Sequence, residues 1–225
     1  MLGLIMFEKL LVDRMICRTL RGRFRRLNWI PPRAELNQPC ILVANHHGWH
    51  DGYVMYLATK QLGLEVVDWI AEFDAFPLFA AVGGMPFSPE KPAVRVATIR
   101  KTIRLLQSGE KNLILFGEGV LHRPPEVWPI GGSLELLCRK VPNVTVVPVA
   151  IRYELSTHER PECFVVFGQP MRASEATGDN VRRCLERMLS EMDLSSGVFE
   201  LLAEGTPDVN ERWDMRRIKN PERSR

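Results

Sequence analysis

One short stretch has residue types and spacing suited to proton transfer: Asn45-His46-His47-Gly48-Trp49-His50-Asp51. Imidazole takes up and returns a proton near neutral pH. A carboxylate on its other nitrogen fixes the tautomer and stabilises the imidazolium that forms. A short apolar run, Ile41 to Ala44, precedes the cluster and reads as a buried strand. Tyr53, Val54, Tyr56 and Leu57 follow it with helical spacing. The cluster therefore sits at the carboxyl end of a strand and the start of a helix, where open α/β sheets place ligands. The motif alone does not choose between a base with its orienter and a histidine-rich turn or metal site built on His46, His50 and Asp51.

Asn45-His46 followed by Asp51 matches the pattern Asn-His-x-x-x-x-Asp, and here the chain resembles the glycerolipid acyltransferases, the lysophosphatidate acyltransferases and their relatives. The resemblance implies that His46 is the general base for an acceptor hydroxyl, that Asp51 orients it, and that Asn45 belongs to the substrate site. Three more blocks follow in the family's order. Phe76 to Phe87 resembles the second, with Gly84 and Phe87 matching, but Glu90 stands where the family has a phosphate-gripping arginine. A carboxylate there repels phosphate, which leaves Lys91 or Arg95 to replace the arginine, or an acceptor without phosphate. Phe116-Gly117-Glu118-Gly119 resembles the third block, which helps bind the acceptor. In it Gly117 replaces a proline, Val120 a threonine and Leu121 an arginine. His122 and Arg123 are candidates for the missing polar contacts. Val146 to Ile151 resembles the fourth, with Pro148 at its centre; a proline there suggests an edge strand or a bulge.

The resemblance implies acyl transfer from acyl-coenzyme A or acyl-carrier protein as co-substrate, with no metal and no other cofactor. Backbone amides near Gly48 or around Gly117 to Gly119 are candidates to hold the oxyanion. No Gly-x-Ser-x-Gly elbow is present, so a covalent acyl-enzyme is not favoured. Of the other histidines, His47 is read as packing locally, His50 as exposed on the turn and His158 as solvated in a charged loop. Trp49, Trp69 and the stretch Phe76 to Phe87 could line a groove for the acyl chain or simply be core.

These residues need elements to position them. From Cys40 onward, strands alternate with helices: strands at Ile41–Ala44, Val66–Ile70, Asn112–Phe116, Thr145–Arg152 and Phe164–Phe167, and helices at Gly52–Gln61, Pro92–Gln107, Ser133–Arg139 and Asn180–Met192. That alternation predicts a single α/β domain with a mixed, largely parallel central sheet flanked by helices. With 225 residues, 45% of them hydrophobic, one sizeable core is the default. A net charge of +3 gives no argument for nucleic acid. Cys17, Cys40, Cys138, Cys163 and Cys184 are odd in number and scattered, the pattern of reduced structural thiols.

Residues 1–30 read as an amphipathic N-terminal segment, helical to Asn28, ending in Arg18, Arg21, Arg23, Arg25 and Arg26. Its apolar run is interrupted well short of the ~20 residues of a transmembrane helix, and no signal-peptide cleavage site is visible. Such a helix with a basic end suits the surface of an anionic membrane. The expected arrangement is a membrane-associating segment at 1–30, an acyltransferase domain at 31–204 and a charged, loosely ordered tail at 205–225. The protein would be peripheral at the cytoplasmic membrane face, with membrane lipids and the acyl donor as partners. The acceptor is read as a lysolipid of the 1-acylglycerol-3-phosphate type. The alternatives are a non-phosphorylated acceptor, such as a glycolipid or a glycosylated pigment, and a non-catalytic lipid-binding relative.

Overall fold

A computed structural model describes residues 2–155 and 157–213. In chain order the elements are α1 (Leu2–Arg23), β1 (Arg26–Ile30), β2 (Cys40–Ala44), α2 (Asp51–Gln61), β3 (Val66–Ile70), β4 (Gly84–Pro86), α3 (Pro92–Gln107), β5 (Asn112–Phe116), α4 (Ser133–Lys140), β6 (Thr145–Glu154), β7 (Glu162–Phe167), β8 (Met171–Arg172), α5 (Gly178–Ser190), β9 (Glu200–Glu204) and α6 (Val209–Arg212). Two 3-10 turns, Phe73–Ala75 and Pro77–Val82, lie between β3 and β4. Among the described residues, the strands form one sheet in the order β4-β3-β5-β2-β6-β7-β1-β9, with β8 paired to β6. The run from β4 to β6 is parallel. β7 is antiparallel to β6, β1 parallel to β7 and β9 antiparallel to β1.

β2 is the spine, and all five of its residues are buried. Leu42 and Ala44 pack toward Val12, Ile16 and Leu20 of α1 and Val54, Met55 and Ala58 of α2. Ile41 and Val43 pack toward Leu106 of α3, Leu134 and Leu137 of α4 and Leu185 of α5. A strand covered on both faces needs no polar side, hence its unbroken apolar sequence. Ile41, Leu42 and Val43 each contribute about 1.5–3 kcal/mol of burial, which makes the strand a rigid base for the turn that follows it.

The N-terminal segment is not helical to Asn28. α1 ends at Arg23, and the next residues enter the sheet as β1, with Leu27 and Trp29 buried and Arg26 exposed. That period of two was hidden by the arginines around it. Residues 205–213, within the expected loose tail, are bonded into the fold. Gly205 N–H donates to Arg25 O at 2.9 Å, and α6 carries a capping box between Asp208 and Glu211. A Cβ on Gly205 would lie 1.9 Å from Phe24 O, so only glycine permits this approach. The arginine-rich stretch from 214 lies outside the described residues.

Pro148 is not on an edge strand, since β6 lies between β2 and β7. On its β7 flank, β6 pairs with β8 up to Val146 and with β7 from Val149. Pro148 O accepts from Gly168 N at 2.8 Å on that flank. The missing N–H therefore faces the gap between β8 and β7 and removes no bond to β2.

Candidate active site

The chain leaves β2 at Asn45, whose side chain prolongs the sheet. Its Oδ1 accepts from Ile151 N–H at 2.8 Å and its Nδ2 donates to Ile151 O at 2.9 Å. Asn45 is fully buried, so it anchors the turn to β6 and does not reach the open face. His46 follows. Its Nδ1–H donates to Asp51 Oδ2 at 3.0 Å, and Gly48 N–H donates to the same oxygen at 2.9 Å. Tyr153 O–H donates to Asp51 Oδ1. With Nδ1 committed to a carboxylate that can only accept, Nε2 of the neutral ring carries the lone pair. Nε2 has no hydrogen-bond partner among the described residues, and the side chain is 24% exposed. The ring is held from beneath by Phe116, stacked at 4.5 Å between centroids.

Asp51 opens α2 and is completely buried; the amino end of a helix suits a carboxylate's charge. Gly48 is required by this packing, because a Cβ there would lie 2.2 Å from Tyr153 Cε2 and 3.0 Å from Asp51 Oδ1. Its amide is engaged by Asp51, which removes it as an oxyanion donor. Gly119 N–H is likewise engaged, by Phe116 O at 3.0 Å. Burial pushes the Tyr153 hydroxyl well above its usual range, so it stays a donor to Asp51. Nothing local to the turn signals Tyr153; only the β2–β6 register brings it there.

Glu118 is also buried, and three protein donors share its carboxylate. Oε1 accepts from His46 N–H at 2.7 Å, and Oε2 accepts from His122 Nε2–H and Trp128 N–H. Glu118 thus holds the backbone of His46 and does not face the open side of the turn. Gly117 packs against Ile130, where a Cβ would approach to 2.8 Å, and Gly119 has the left-handed φ of 76° that favours glycine. The loop with Phe116, Gly117, Glu118 and Gly119 is therefore a clamp under the turn that carries His46. Arg123 is exposed beyond it.

Gly84, Phe87 and Lys91 lie toward the β4 edge, three strand spacings from β2, or about 14 Å. Phe87 stacks on Trp69 at 4.2 Å, with the Arg95 guanidinium 4.9 Å above the ring. Lys91 pairs with Asp74 at 2.5 Å, and Glu90 is exposed. Trp49 is 76% exposed, not core.

Of the other histidines, His50 and His158 depart from expectation and His47 does not. His50 is half-buried, edge-on to Phe24 at 5.5 Å, and not an exposed turn residue. Burial, and then the Arg23 charge, lower its proton affinity against an opposing pull from Asp51. His158 is not merely solvated: Nδ1–H donates to Asp208 Oδ2 at 2.7 Å. His47 packs locally, between Asn45 Nδ2 at 3.1 Å and Glu126 O at 2.9 Å. Among the described residues, the group with metal-ligand spacing is His47, Glu118 and His122, not His46, His50 and Asp51. In that group both His47 nitrogens are engaged, and Glu118 is paired with His122. Cys40 is fully buried, and burial pushes its thiol up to about 12, which rules it out as a nucleophile at neutral pH.

Asp68 of β3 escaped the sequence reading, although an acid inside Val66-Val67-Asp68-Trp69-Ile70 is a signal. It lies beside the first turn of α2, with Oδ2 3.6 Å from where a Gly52 Cβ would be. Oδ1 is buried with no partner among the described residues. Burial raises its carboxyl to about 7, against smaller opposing pulls from the His46 charge and the Trp69 amide. A carboxyl raised in the folded state binds more protons folded than unfolded between pH ~4 and ~7. Its contribution to stability is therefore lost as pH rises through that window. Asp68→Asn removes the ionisation: from pH 5 to pH 8 wild type should lose roughly 2 kcal/mol more stability than the variant. Urea unfolding at both pH values reads this difference, and parallel curves would show that Asp68 finds a counter-group.

A family model described as Acyltransferase matches residues 23–152, more than half of the chain and the span from the end of α1 through most of β6. Among solved structures, the 1-acyl-sn-glycerophosphate (LPA) acyltransferase PlsC from Thermotoga maritima is similar with a TM-score of 0.60. The match covers 85% of this chain and 89% of that one at 19% identity, a likeness of fold. No curated protein sequence matches this chain.

Proposed function

Since the chain belongs to the acyltransferase family and is an enzyme, we propose that it moves a fatty acyl group from a thioester to the hydroxyl of a lysolipid acceptor of the 1-acylglycerol-3-phosphate type. The donor in this reading is acyl-coenzyme A or acyl-carrier protein. The observation that carries it is the His46–Asp51 pair with Nε2 open on the carboxyl side of the sheet. His46 Nε2 takes the proton from the acceptor hydroxyl as its oxygen attacks the thioester carbonyl. The tetrahedral intermediate collapses, the carbon–sulfur bond breaks, and the proton on Nε2 passes to the departing thiolate. Ester and thiol are formed with no change of oxidation state. General-base help of this kind is worth about 10²–10⁴-fold.

A place at the cytoplasmic face of a membrane is part of the proposal. Met6, Phe7, Leu10 and Leu11 leave an exposed apolar strip on the first half of α1, with Arg14, Arg18 and Arg21 further along. Among the described residues no helix is long and apolar enough to cross a membrane. Membrane lipids are the partners this surface suits.

A second reading is favoured by Glu90, exposed where the resemblance expects an arginine. It makes the acceptor a non-phosphorylated hydroxyl compound, such as a glycolipid or glycosylated pigment. The test is thiol release from palmitoyl-coenzyme A in vesicles, with lysophosphatidate and with neutral or sugar-bearing acceptors. Release with lysophosphatidate supports the first reading, and release only with neutral acceptors supports the second. No release with either a coenzyme A or a carrier-protein donor, in protein that still binds vesicles, would leave a lipid-binding relative.

A further inference from the structure

Beside the catalytic turn lies an open cleft of about 650 Å³, and its wall includes Arg23, Phe24, His50, Glu159, Arg160 and Arg212. It is at the same end of the sheet as His46. β6 runs parallel to β2, β7 is antiparallel to β6 and β1 is parallel to β7, so Tyr153, Pro161 and Arg25 come together there. One layer of rings separates cleft from site. Phe24 stacks on Tyr153 at 5.5 Å and meets the edge of His50 at 5.5 Å, and Tyr153 and Asp51 are hydrogen-bonded behind them.

The charges in the cleft are unbalanced. Arg23 and Arg212 have no ion pair among the described residues, and Arg160 has only a 3.8 Å contact with Glu159. Glu159, the one carboxylate on the wall, also accepts from Val209 N–H at 3.0 Å. The neighbouring acids are compensated elsewhere: Glu162 and Glu211 pair with Arg25, and Asp208 takes His158. Meanwhile Glu90 stands where the resemblance expects a phosphate-gripping arginine, Leu121 replaces an arginine of the acceptor-binding block, and Lys91 is paired with Asp74.

We infer that this arginine-lined cleft is a phosphate-binding subsite that takes the phosphate of one of the two substrates while its reactive end lies at His46. Guanidinium groups bind phosphate oxygens through paired, charge-assisted hydrogen bonds, and free arginines on an open wall suit that role. The phosphate comes either from the coenzyme A half of the donor or from the headgroup of the acceptor. Naming these two sources rests on the acyl-transfer reading; the anion site itself does not.

The experiment measures binding of coenzyme A and of glycerol 3-phosphate by calorimetry at low salt. It uses wild type, Arg23→Gln, Arg212→Gln, the double variant, and Lys101→Gln as an exposed control on α3. Melting curves establish that each variant is folded. Should the double variant fail to fold, the single variants decide. Loss of coenzyme A affinity by about tenfold or more in the arginine variants, unchanged in the control, assigns the cleft to the donor. The same loss for glycerol 3-phosphate assigns it to the acceptor. A matching rise in KM for that substrate alone, with kcat within twofold, accompanies either result where turnover is measurable. Unchanged affinity for both probes overturns the subsite, whether or not the protein turns over. Absence of turnover with retained, arginine-dependent binding overturns the acyl-transfer reading and leaves the subsite standing.

Discussion

His46→Ala should lower kcat by roughly 10²–10⁴-fold, with KM for the acyl donor changed little and the fold retained. Retention follows from how the residue is held. The clamp on His46 acts through its backbone, where Glu118 Oε1 accepts from the amide and His46 O accepts from His122 N–H at 3.2 Å. Neither bond needs the imidazole. The partly exposed ring contributes its stack on Phe116 and one of the three donors to the buried Asp51 carboxylate, so truncation should cost about 1–3 kcal/mol in a urea titration. His46→Gln is the stricter partner variant, since it keeps bulk and a polar end but cannot take up a proton. Both variants should show the same fall in the thiol-release assay while binding vesicles like wild type. Activity within tenfold of wild type in both would remove His46 as the base.

The turn around His46 was legible because its determinants are local. A continuous apolar strand, a polar knot and a helical pattern occur within some twenty residues, and the structure puts β2 at Cys40–Ala44 and α2 at Asp51–Gln61. The bounds of α3 and β5 were also readable, from Pro92 at a helix start and from Asn112 ahead of an apolar run. What stayed hidden depends on register between distant segments. Tyr153 reaches Asp51 only because Ala44 pairs with Val149, which carries the end of β6 past the turn. Glu118 looked like a ligand for substrate because a glycine-flanked acid at a strand end is exposed until something covers it. Here Trp128 N–H and His122, on a loop that folds back, cover it. β1 and β9 were missed for a related reason. An edge ladder needs few apolar side chains, and Leu27 and Trp29 are too few to register among five arginines. The burial of His50 is not legible locally either, because the ring that covers it, Phe24, is 26 positions earlier and arrives through the β1–β7 pairing.

Asp51 should give the largest combined effect on stability and activity. Asp51→Ala leaves three donors, His46 Nδ1–H, Gly48 N–H and Tyr153 O–H, without their acceptor around a fully buried position. Each unsatisfied buried donor costs about 1–3 kcal/mol, reduced by whatever water enters the gap, so a loss of roughly 3–5 kcal/mol is expected in urea unfolding. Asp51→Asn separates charge from shape. Its single carbonyl oxygen cannot serve all three donors, and its amide donates toward one of them. If the amide faces His46, Nδ1 must become the acceptor and the proton moves to Nε2, the atom that has to be free as base. The tautomer is then wrong for chemistry even in a well-folded protein, and kcat should fall by about 10³–10⁴-fold, the scale on which orienting carboxylates act. Tyr153→Phe grades the effect. It removes one of the donors to Asp51, leaves the ring on Phe24, and should cost about tenfold in kcat with about 1 kcal/mol of stability. The order Asp51→Asn well below Tyr153→Phe, with Tyr153→Phe below wild type, is what a buried carboxylate fixing the tautomer of His46 requires. If Asp51→Asn is folded and turns over like wild type, the proton on Nδ1 is held by something other than Asp51, and the role given to the pair fails.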